Sequence, residues 1–295
     1  MDRFDAMTAF VAVCEAESLT RAARKLGLSP SVMSRQIAAL ESHLGARLFN
    51  RTTRSISLTD AGSRFLERTR RILAELDEAE LAVQDEKAPP RGRLSVTAPV
   101  IFGRLHVAPL LSHFVARYPE VSIDLTLSDR FISLVEEGHD LAVRIGHLPD
   151  SQLVARRFGE TRRALVASPA YLAKAGIPLH PDDLAKFSLI AFAPVAQSFE
   201  WSFSEGRKVR IEPRFIVNNG DAAISWVLAG SGIARVLYYQ VRDAIREGRL
   251  VEVLGPFAPE PMPIHVVYPT AHLLPGKVRA FLDLTAQTAD WRLAS

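Results

Sequence analysis

Apolar residues recur at helical spacing three times before residue 45, and this pattern predicts three short helices. The first spans 2–17. Ser18 caps the second and Gly27 ends it, because glycine tolerates the left-handed conformation that closes a helix. Ser29 and Pro30 begin the third, since a hydroxyl caps the first amides and proline there misses no hydrogen bond. The inward-facing residues are Met7, Phe10, Val11 and Cys14, then Leu19, Ala22, Ala23 and Leu26, then Ile37, Leu40 and Leu44.

The outward face of the third predicted helix is small and polar. Its residues are Ser31, Ser34, Arg35, Ala38 and Ser42. Small side chains allow close approach to a DNA major groove, and an arginine pairs bidentately with guanine. Between Ser18 and Arg71 the chain has eleven basic and three acidic residues, whereas its overall net charge is +3. This local positive excess favours a DNA-binding segment over the alternative, a helical hairpin that faces only water.

A short alternating segment and one long helix are predicted next. Residues 48–59 combine a basic turn with alternating apolar positions, which predicts a two-stranded wing. Arg51, Thr52, Thr53 and Arg54 would form its tip, and a solvated basic loop is the alternative. Residues 60–87 form one helical segment with an apolar seam for a second copy of the chain, although Gly62 and Thr69 weaken the pattern. The predicted seam residues are Phe65, Ile72, Leu76, Ala79 and Val83.

The segment 88–92 contains two prolines and a glycine, and it is the clearest linker in the chain. Strand and helix patterns alternate after it, which predicts an α/β fold with parallel strands and crossover helices. Predicted strands are 93–97, 122–127, 141–144, 154–158, 233–237 and 264–267. Predicted helices are 100–118, 132–137, 169–175, 181–186, 221–229, 239–247 and 276–290. A second α/β unit is expected from about residue 162 to residue 261.

The composition of the 295 residues is that of an ordinary globular protein with two or three units. Cys14 is the only cysteine, so no disulfide can form within the chain, which suits a reducing cytoplasm. No secretory signal or membrane-spanning apolar run is evident. Gly230 and Gly232 resemble part of a dinucleotide fingerprint, but Arg235 stands at the third glycine position. No nucleophile, base or metal-ligand set is recognisable, so neither an enzyme nor a cofactor is expected.

The N-terminal sixty residues closely resemble the LysR-type transcriptional regulators. The matching residues are Phe10, Val13, Ser18, Leu19, Thr20, Ala22, Ala23, Leu26, Ser29, Ser34, Arg35, Ile37, Leu40, Glu41, Leu44, Gly45, Leu48, Phe49, Arg51, Leu58, Thr59 and Gly62. The resemblance implies a multidomain fold, with an all-α winged helix-turn-helix and an α/β effector domain similar to periplasmic binding proteins. The implied domains are a winged helix-turn-helix at 1–59 (helix-turn-helix about 19–38), a dimerisation helix at 60–87, a hinge at 88–92, and an effector domain at 93–295. Its subdomain I would comprise 93–161 and 262–295, and its subdomain II 162–261.

Candidate site residues follow from the resemblance and from strand ends, where ligands bind in open α/β folds. The DNA-binding candidates are Thr20, Arg21, Ser29, Pro30, Ser31, Ser34, Arg35, Arg51, Thr52 and Arg54. The effector-binding candidates are Thr97, Pro99, Val100, Phe102, Ser128, Arg144, Phe192, Asn218 and Asn219. Free amides at the helix start near Val100 would suit a carboxylate, while Arg144 has the alternative role of an ion-pair partner for Asp129. Many relatives have Gln-Pro where this chain has Pro30-Ser31, so a bidentate reader of adenine is missing.

These features predict a cytoplasmic transcription regulator that binds an inverted repeat in double-stranded operator DNA and responds to a small-molecule effector, a small organic acid. The expected partners are RNA polymerase and further copies of the chain in a homodimer or homotetramer, with no membrane. A solute-binding protein built from the same α/β halves would need an export signal and no basic N-terminal helices. An architectural DNA binder would not need the large C-terminal part, and an enzyme in the cleft would need a catalytic set.

Overall fold

Capping side chains set the starts of the first three helices. The structure, a computed structural model, describes residues 2–51, 56–84, 89–193, 199–269 and 274–294. The chain divides into two compact units, with the boundary between residues 88 and 89. Unit 1 begins with α1 (Arg3–Ala16), α2 (Leu19–Lys25) and α3 (Pro30–Leu44). Ser18 and Ser29 accept hydrogen bonds from the Arg21 and Val32 amides at 3.4 and 3.3 Å. Gly27 adopts φ +67° after α2, as its sequence position predicts.

The core of unit 1 lies between α1, α3 and the wing. Phe10, Met33 and Ile37 are fully buried. The ring of Phe10 lies 5.2 Å from that of Phe49 and 5.3 Å from that of Phe65. Each such side chain contributes about 1.5–3 kcal/mol through burial, so this cluster fixes which face of α3 points outward.

The wing is an antiparallel pair, β1 (Phe49–Arg51) and β2 (Ile56–Leu58), and α4 (Asp60–Gln84) follows it. The Glu41 carboxylate in α3 accepts hydrogen bonds from the Leu48 and Phe49 amides at 2.9 and 3.2 Å. Since Glu41 belongs to α3 and both amides to the start of the wing, this carboxylate joins the two elements.

Unit 2 contains two mixed sheets. The first has the order β15-β6-β14-β5-β3-β4. Its strands are β3 (Gly92–Ala98), β4 (Val121–Leu127), β5 (Leu141–Ile145), β6 (Leu153–Thr161), β14 (Met262–Pro269) and β15 (Trp291–Leu293). Its helices are α5 (Val100–Phe102), α6 (Ala108–Arg117), α7 (Leu134–Glu137) and α11 (Gly276–Thr288). The core between strands and helices includes Phe102, Phe114 and Phe281.

The second sheet has the order β11-β8-β12-β7-β13 and lies between two apolar clusters. Its strands are β7 (Arg163–Ala167), β8 (Leu189–Phe192), β11 (Phe215–Val217), β12 (Ile233–Leu237) and β13 (Val251–Val253). A hairpin of β9 (Glu200–Ser202) and β10 (Lys208–Arg210) stands beside it, with α8 (Pro169–Ala175), α9 (Gly220–Leu228) and α10 (Tyr238–Arg246). Short 3-10 helices span Pro181–Lys186, Ser204–Gly206 and Gly255–Phe257.

Two sequence predictions need correction. The sheets are not purely parallel, because β14 runs antiparallel to β5 and β6, and β7 runs antiparallel to β12 and β13. The chain leaves the first sheet through β6 and returns through the neighbouring β14, so these two strands must run in opposite directions. The helix predicted over 100–118 is interrupted by a π-helical turn, Gly103–Val107. Pro109 lacks the amide hydrogen that would continue a regular helix there.

Candidate nucleic-acid interface and effector cleft

The N-terminal part of α3 presents an exposed polar and cationic face. Ser31 and Arg35 are exposed and Ser34 is half-buried, while Met33 and Ile37 point into the core. Ser29 is committed to the cap of Val32, and its hydroxyl lies 3.0 Å from that of Ser31. The side chain of Arg35 makes no ion pair or hydrogen bond to any described residue. The helix therefore presents one available guanidinium beside small hydroxyls.

The cations around α3 differ in how far they are already neutralised. Glu15 pairs with Lys25 at 2.8 Å and lies 3.9 Å from Arg70. Arg21, at the exposed start of α2 next to Thr20, has no acidic partner among the described residues. Arg21 and Arg35 are thus unpaired cations on α2 and α3, the two helices that carry most of the predicted DNA contacts.

Part of the predicted wing and seam lies beyond what the structure describes. Thr52 and Arg54 fall outside the described residues, as do the side chains of Arg51, Ala79 and Val83. In α4, Phe65 packs on Phe10 inside its own unit, which accounts for its apolar character without a second copy. Ile72 is 39% exposed and Leu76 is half-buried.

Gly62 and Thr69, which interrupt the predicted apolar seam, are both buried inside unit 1. A Cβ atom at Gly62 would lie 2.1 Å from the Leu48 carbonyl oxygen. Glycine at this position therefore lets α4 approach the backbone at the start of the wing.

In unit 2, the residues predicted around the end of β3 are less accessible than expected. Phe102 is fully buried and packs edge-on against Trp291 and Tyr239 at 5.0 and 5.4 Å, so it belongs to the core and not to a cleft wall. Thr97 is also fully buried, and its hydroxyl has no hydrogen-bond partner among the described residues. Pro99 and Val100 remain half-buried.

The amide at the start of α5 is occupied, contrary to the sequence prediction. The backbone amide of Val100 donates to Oδ1 of Asp129 at 3.1 Å. Burial raises the pKa of Asp129, the Val100 bond lowers it, and the Asp221 carboxylate adds to the rise. A carboxylate of the protein itself thus takes one of the donors that the sequence assigns to an effector.

Arg144 does not pair with Asp129, so that alternative is wrong. Its Nη2 donates to the Ile132 carbonyl at 2.9 Å, and its guanidinium lies 5.4 Å from the ring centroid of the exposed Phe131. Burial lowers the pKa of Arg144. The Ser128 hydroxyl accepts the Arg130 amide at 3.1 Å. Arg144 and Ser128 therefore both support the loop after β4.

Side chains also join the two sheets beside the ends of β3 and β11. Arg104 and Asp221 form an ion pair at 3.1 Å. A Cβ at Gly220 would lie 2.8 Å from Cδ1 of Ile101, so the start of α9 packs closely against α5. Because α5 follows β3 and α9 follows β11, these contacts bring together the carboxyl ends of one strand from each sheet.

The second-sheet candidates lie at strand ends, as their sequence positions suggest. Phe192 is 38% exposed at the end of β8, and Asn218 is exposed after β11. Asn219 caps α9, since its Oδ1 accepts the Ala222 amide at 2.9 Å. Phe192 and Asn218 thus remain available, while Asn219 has a structural role.

Sequence reasoning missed two residues in the second sheet. Arg163 and Arg235 occupy strands, and burial lowers the pKa of both guanidinium groups. The signal was present in the sequence, because a single cation interrupts the apolar strand 233–237.

Other chemistry is sparse in the described part of the chain. Burial raises the pKa of the Cys14 thiol to about 11, so the thiol stays protonated near neutral pH. Among the residues that the structure describes, no His, Cys, Asp or Glu cluster has the geometry of a metal site. None of the described helices is both long and apolar enough to cross a bilayer.

Comparisons with known proteins agree with this two-unit arrangement. Residues 4–63 match the family described as bacterial regulatory helix-turn-helix protein, lysR family, and residues 87–290 match the LysR substrate binding domain. An HTH-type transcriptional repressor of Pseudomonas aeruginosa is 38% identical, with 96% of this chain and 91% of that protein covered.

Two solved structures are similar over nearly the full length. CrgA, a LysR-type regulator of Neisseria meningitidis, has a TM-score of 0.62 and 34% identity, covering 96% of this chain and 97% of that one. The Vibrio cholerae virulence activator AphB has a TM-score of 0.61 and 30% identity, covering 97% of this chain and 99% of that one.

The fold and these matches define a transcription regulator with a helix-turn-helix unit and a substrate-binding unit. The chain belongs to the LysR family, which confirms the predicted family and fold class. The matched families and relatives are regulators of transcription and not enzymes, as the sequence predicts.

Proposed function

We propose that this chain binds an inverted-repeat operator as a homodimer or a homotetramer, and that a small organic acid bound between its two α/β sheets changes its action on RNA polymerase. The observation that carries the DNA-binding part is the exposed start of α3, where Arg35 has no described partner and stands beside the hydroxyls of Ser31 and Ser34. A helix with this surface can enter a major groove, and a two-fold pair of such helices would read two half-sites.

Within this proposal, the DNA contacts divide into two kinds. Arg35 lies on the outer face of α3 and would read base edges. Thr20, Arg21, Arg51, Thr52 and Arg54 would contact phosphates or the minor groove. Phosphate contacts raise affinity for every sequence and depend strongly on salt, while base contacts raise it for one sequence only.

The effector part rests on how the two sheets are joined. The contacts between α5 and the start of α9 lie beside the ends of β3 and β11. Arg144, Phe192 and Asn218 lie at or next to the last residues of β5, β8 and β11. A ligand there would favour one arrangement of the sheets over another. It can change the regulator's output only if it binds the two arrangements unequally.

The experiment is footprinting and fluorescence anisotropy of the full chain on DNA from upstream of its own gene, over a salt series. We expect protection of an interrupted inverted repeat and much weaker binding to a scrambled site. Arg35→Ala should reduce the discrimination between the two sites by about 1–3 kcal/mol. The control is Arg210→Ala, an exposed arginine of β10 that removes the same charge from unit 2.

The outcomes separate the alternatives. Equal loss of discrimination in both variants would exclude Arg35 as a base reader. No selective protection of any fragment in a genome-wide selection would refute the DNA-binding proposal as a whole.

A further inference from the structure

Two arginines lie on the same face of the second sheet, near the edge where its parallel strands end. In the antiparallel register of β7 and β12, Arg235 is opposite Leu165 and Arg163 is opposite Leu237. The two arginines are therefore diagonal neighbours, at about 7–8 Å between Cα atoms. Their face is the one that carries Leu165 and Trp201 in its apolar cluster.

Arg235 is half-buried, and no described residue supplies it with a counter-charge. Its Nη1 is inaccessible to solvent and makes no hydrogen bond to any described residue. Its guanidinium stands 5.3 Å from the ring centroid of Trp201. Burial lowers the pKa of Arg235 to about 9, and the positive charge of Arg163 contributes to the shift. The side chain of Arg163 makes no ion pair or hydrogen bond to any described residue.

Two acidic residues, one on the adjacent strand β13 and one on the hairpin, have other partners. Glu252 on β13 is paired with Val166, so its side chain leaves the sheet on the opposite face, and it binds Arg162. On the hairpin, Glu200 pairs with Lys208 at 3.1 Å. Neither Glu252 nor Glu200 therefore supplies an anion to the two arginines.

A pair of like charges in this position is costly unless an anion neutralises it. A buried charge without a partner loses its hydration and gains nothing in return. A guanidinium that stacks on an indole still has its N–H groups directed outward in its own plane, which is the geometry that binds a carboxylate or phosphate with two parallel hydrogen bonds. Strand ends of this kind are where open α/β sheets bind ligands.

We propose that Arg235 and Arg163 form an oxyanion site that holds the carboxylate of the small-molecule effector. This proposal rests on the function proposed above, and it places the effector's acidic group in the second sheet. The amide of Val100 is then not the anion donor, in keeping with its bond to Asp129.

The test measures thermal unfolding of the full chain with acetate, benzoate or inorganic phosphate, each exchanged for chloride at constant ionic strength. The variants are Arg235→Met, Arg163→Met and Arg235→Lys, with Arg144→Gln as the competing site. Arg210→Gln is the matched control, because it removes an exposed charge from the neighbouring hairpin.

We expect at least one probe to raise the midpoint of the wild type and of Arg210→Gln with a saturable dose dependence. The rise should reach roughly 5–10 °C at a hundredfold excess over Kd. Arg235→Met and Arg163→Met should abolish the response, and Arg235→Lys should weaken it. Without anion, the midpoint of Arg235→Met should equal or exceed that of the wild type, since a buried unpaired charge has been removed.

Three results would overturn the proposal: a response that survives in both methionine variants, a response lost only in Arg144→Gln, or no response of the wild type to any probe. Operator binding is measured on the same preparations. Selective DNA binding without an anion response would refute this site alone. An anion response that depends on Arg235, without selective DNA binding, would refute the DNA-binding function alone.

Discussion

Gly62→Ala should destabilise unit 1 although alanine is the better helix former. The added Cβ would lie 2.1 Å from the Leu48 carbonyl oxygen and 2.9 Å from Cδ2 of Leu58. A relaxed carbon–oxygen contact needs about 3.3–3.6 Å. Because the clashing atom belongs to the backbone, no side-chain rotation can relieve the contact, and the Leu48 backbone has to move. That carbonyl accepts the Thr59 amide at 2.9 Å, and this hydrogen bond is at risk.

The magnitude follows from three contributions. Overpacking of a closed contact costs about 1–3 kcal/mol. A weakened backbone hydrogen bond adds about 0.5–1.5 kcal/mol, and the higher helix propensity of alanine returns about 0.5–1 kcal/mol. The expected net loss in the free energy of unfolding is therefore about 1–3 kcal/mol, since the smaller contributions nearly cancel.

The assay is urea unfolding of the full chain, with hydrogen exchange to assign the loss to peptides of unit 1. Ser63→Ala is the matched control, because this neighbouring position on α4 is exposed. DNA affinity should fall with the folded fraction, while discrimination between sites is retained. A Gly62→Ala protein with the stability of the control would refute the close-approach reasoning.

Three further predictions concern single side chains. Arg51→Ala should weaken binding to all DNA sequences alike and reduce the salt slope by about 1, and a sequence-selective loss in anisotropy would contradict its phosphate role. Asp129→Asn should flatten the pH dependence of stability. Because the pKa of Asp129 is raised in the folded protein, the wild type loses stability as pH rises from the unfolded-state pKa through the folded-state pKa. Urea midpoints that change equally between about pH 3 and 7 in the wild type and in Asp129→Asn would exclude this. Lys277→Met should lower the free energy of unfolding by about 2–4 kcal/mol, because the Lys277 Nζ donates to the Arg93 carbonyl at 2.6 Å and lies 3.1 Å from Asp140. A urea unfolding curve that matches the wild type would argue against this.

The sequence predicted the helical elements of unit 1 more accurately than the sheets of unit 2. Caps such as Ser18, Ser29 and Gly27 are local signals, so the boundaries of α2 and α3 could be read directly. The strand β7 was missed, because a short apolar run such as 164–167 does not alternate and fits a strand or a buried helix equally well. Strand direction in β14 depends on chain path, which no local pattern encodes.

The candidate cleft was harder to predict than the DNA-facing helix. The outward face of α3 follows from helical period alone. The burial of Phe102 depends on Trp291, and the occupation of the Val100 amide depends on Asp129, two partners that are distant in sequence. Tertiary contacts of this kind determine whether a residue at a strand end is available to a ligand.

Only Arg162 separates β6 from β7, the strands by which the chain passes from one sheet to the next. Side chains alternate between the faces of a strand, so an inserted residue at this point would exchange the two faces of β7. Ala164 and Val166 would then point where Leu165 and Ala167 now pack, and Arg163 would turn toward the opposite apolar cluster. The connection at Arg162 is thus expected to tolerate substitution but not insertion. A linker-scanning library should therefore be depleted of in-frame insertions at Arg162, while it accepts them at exposed turns.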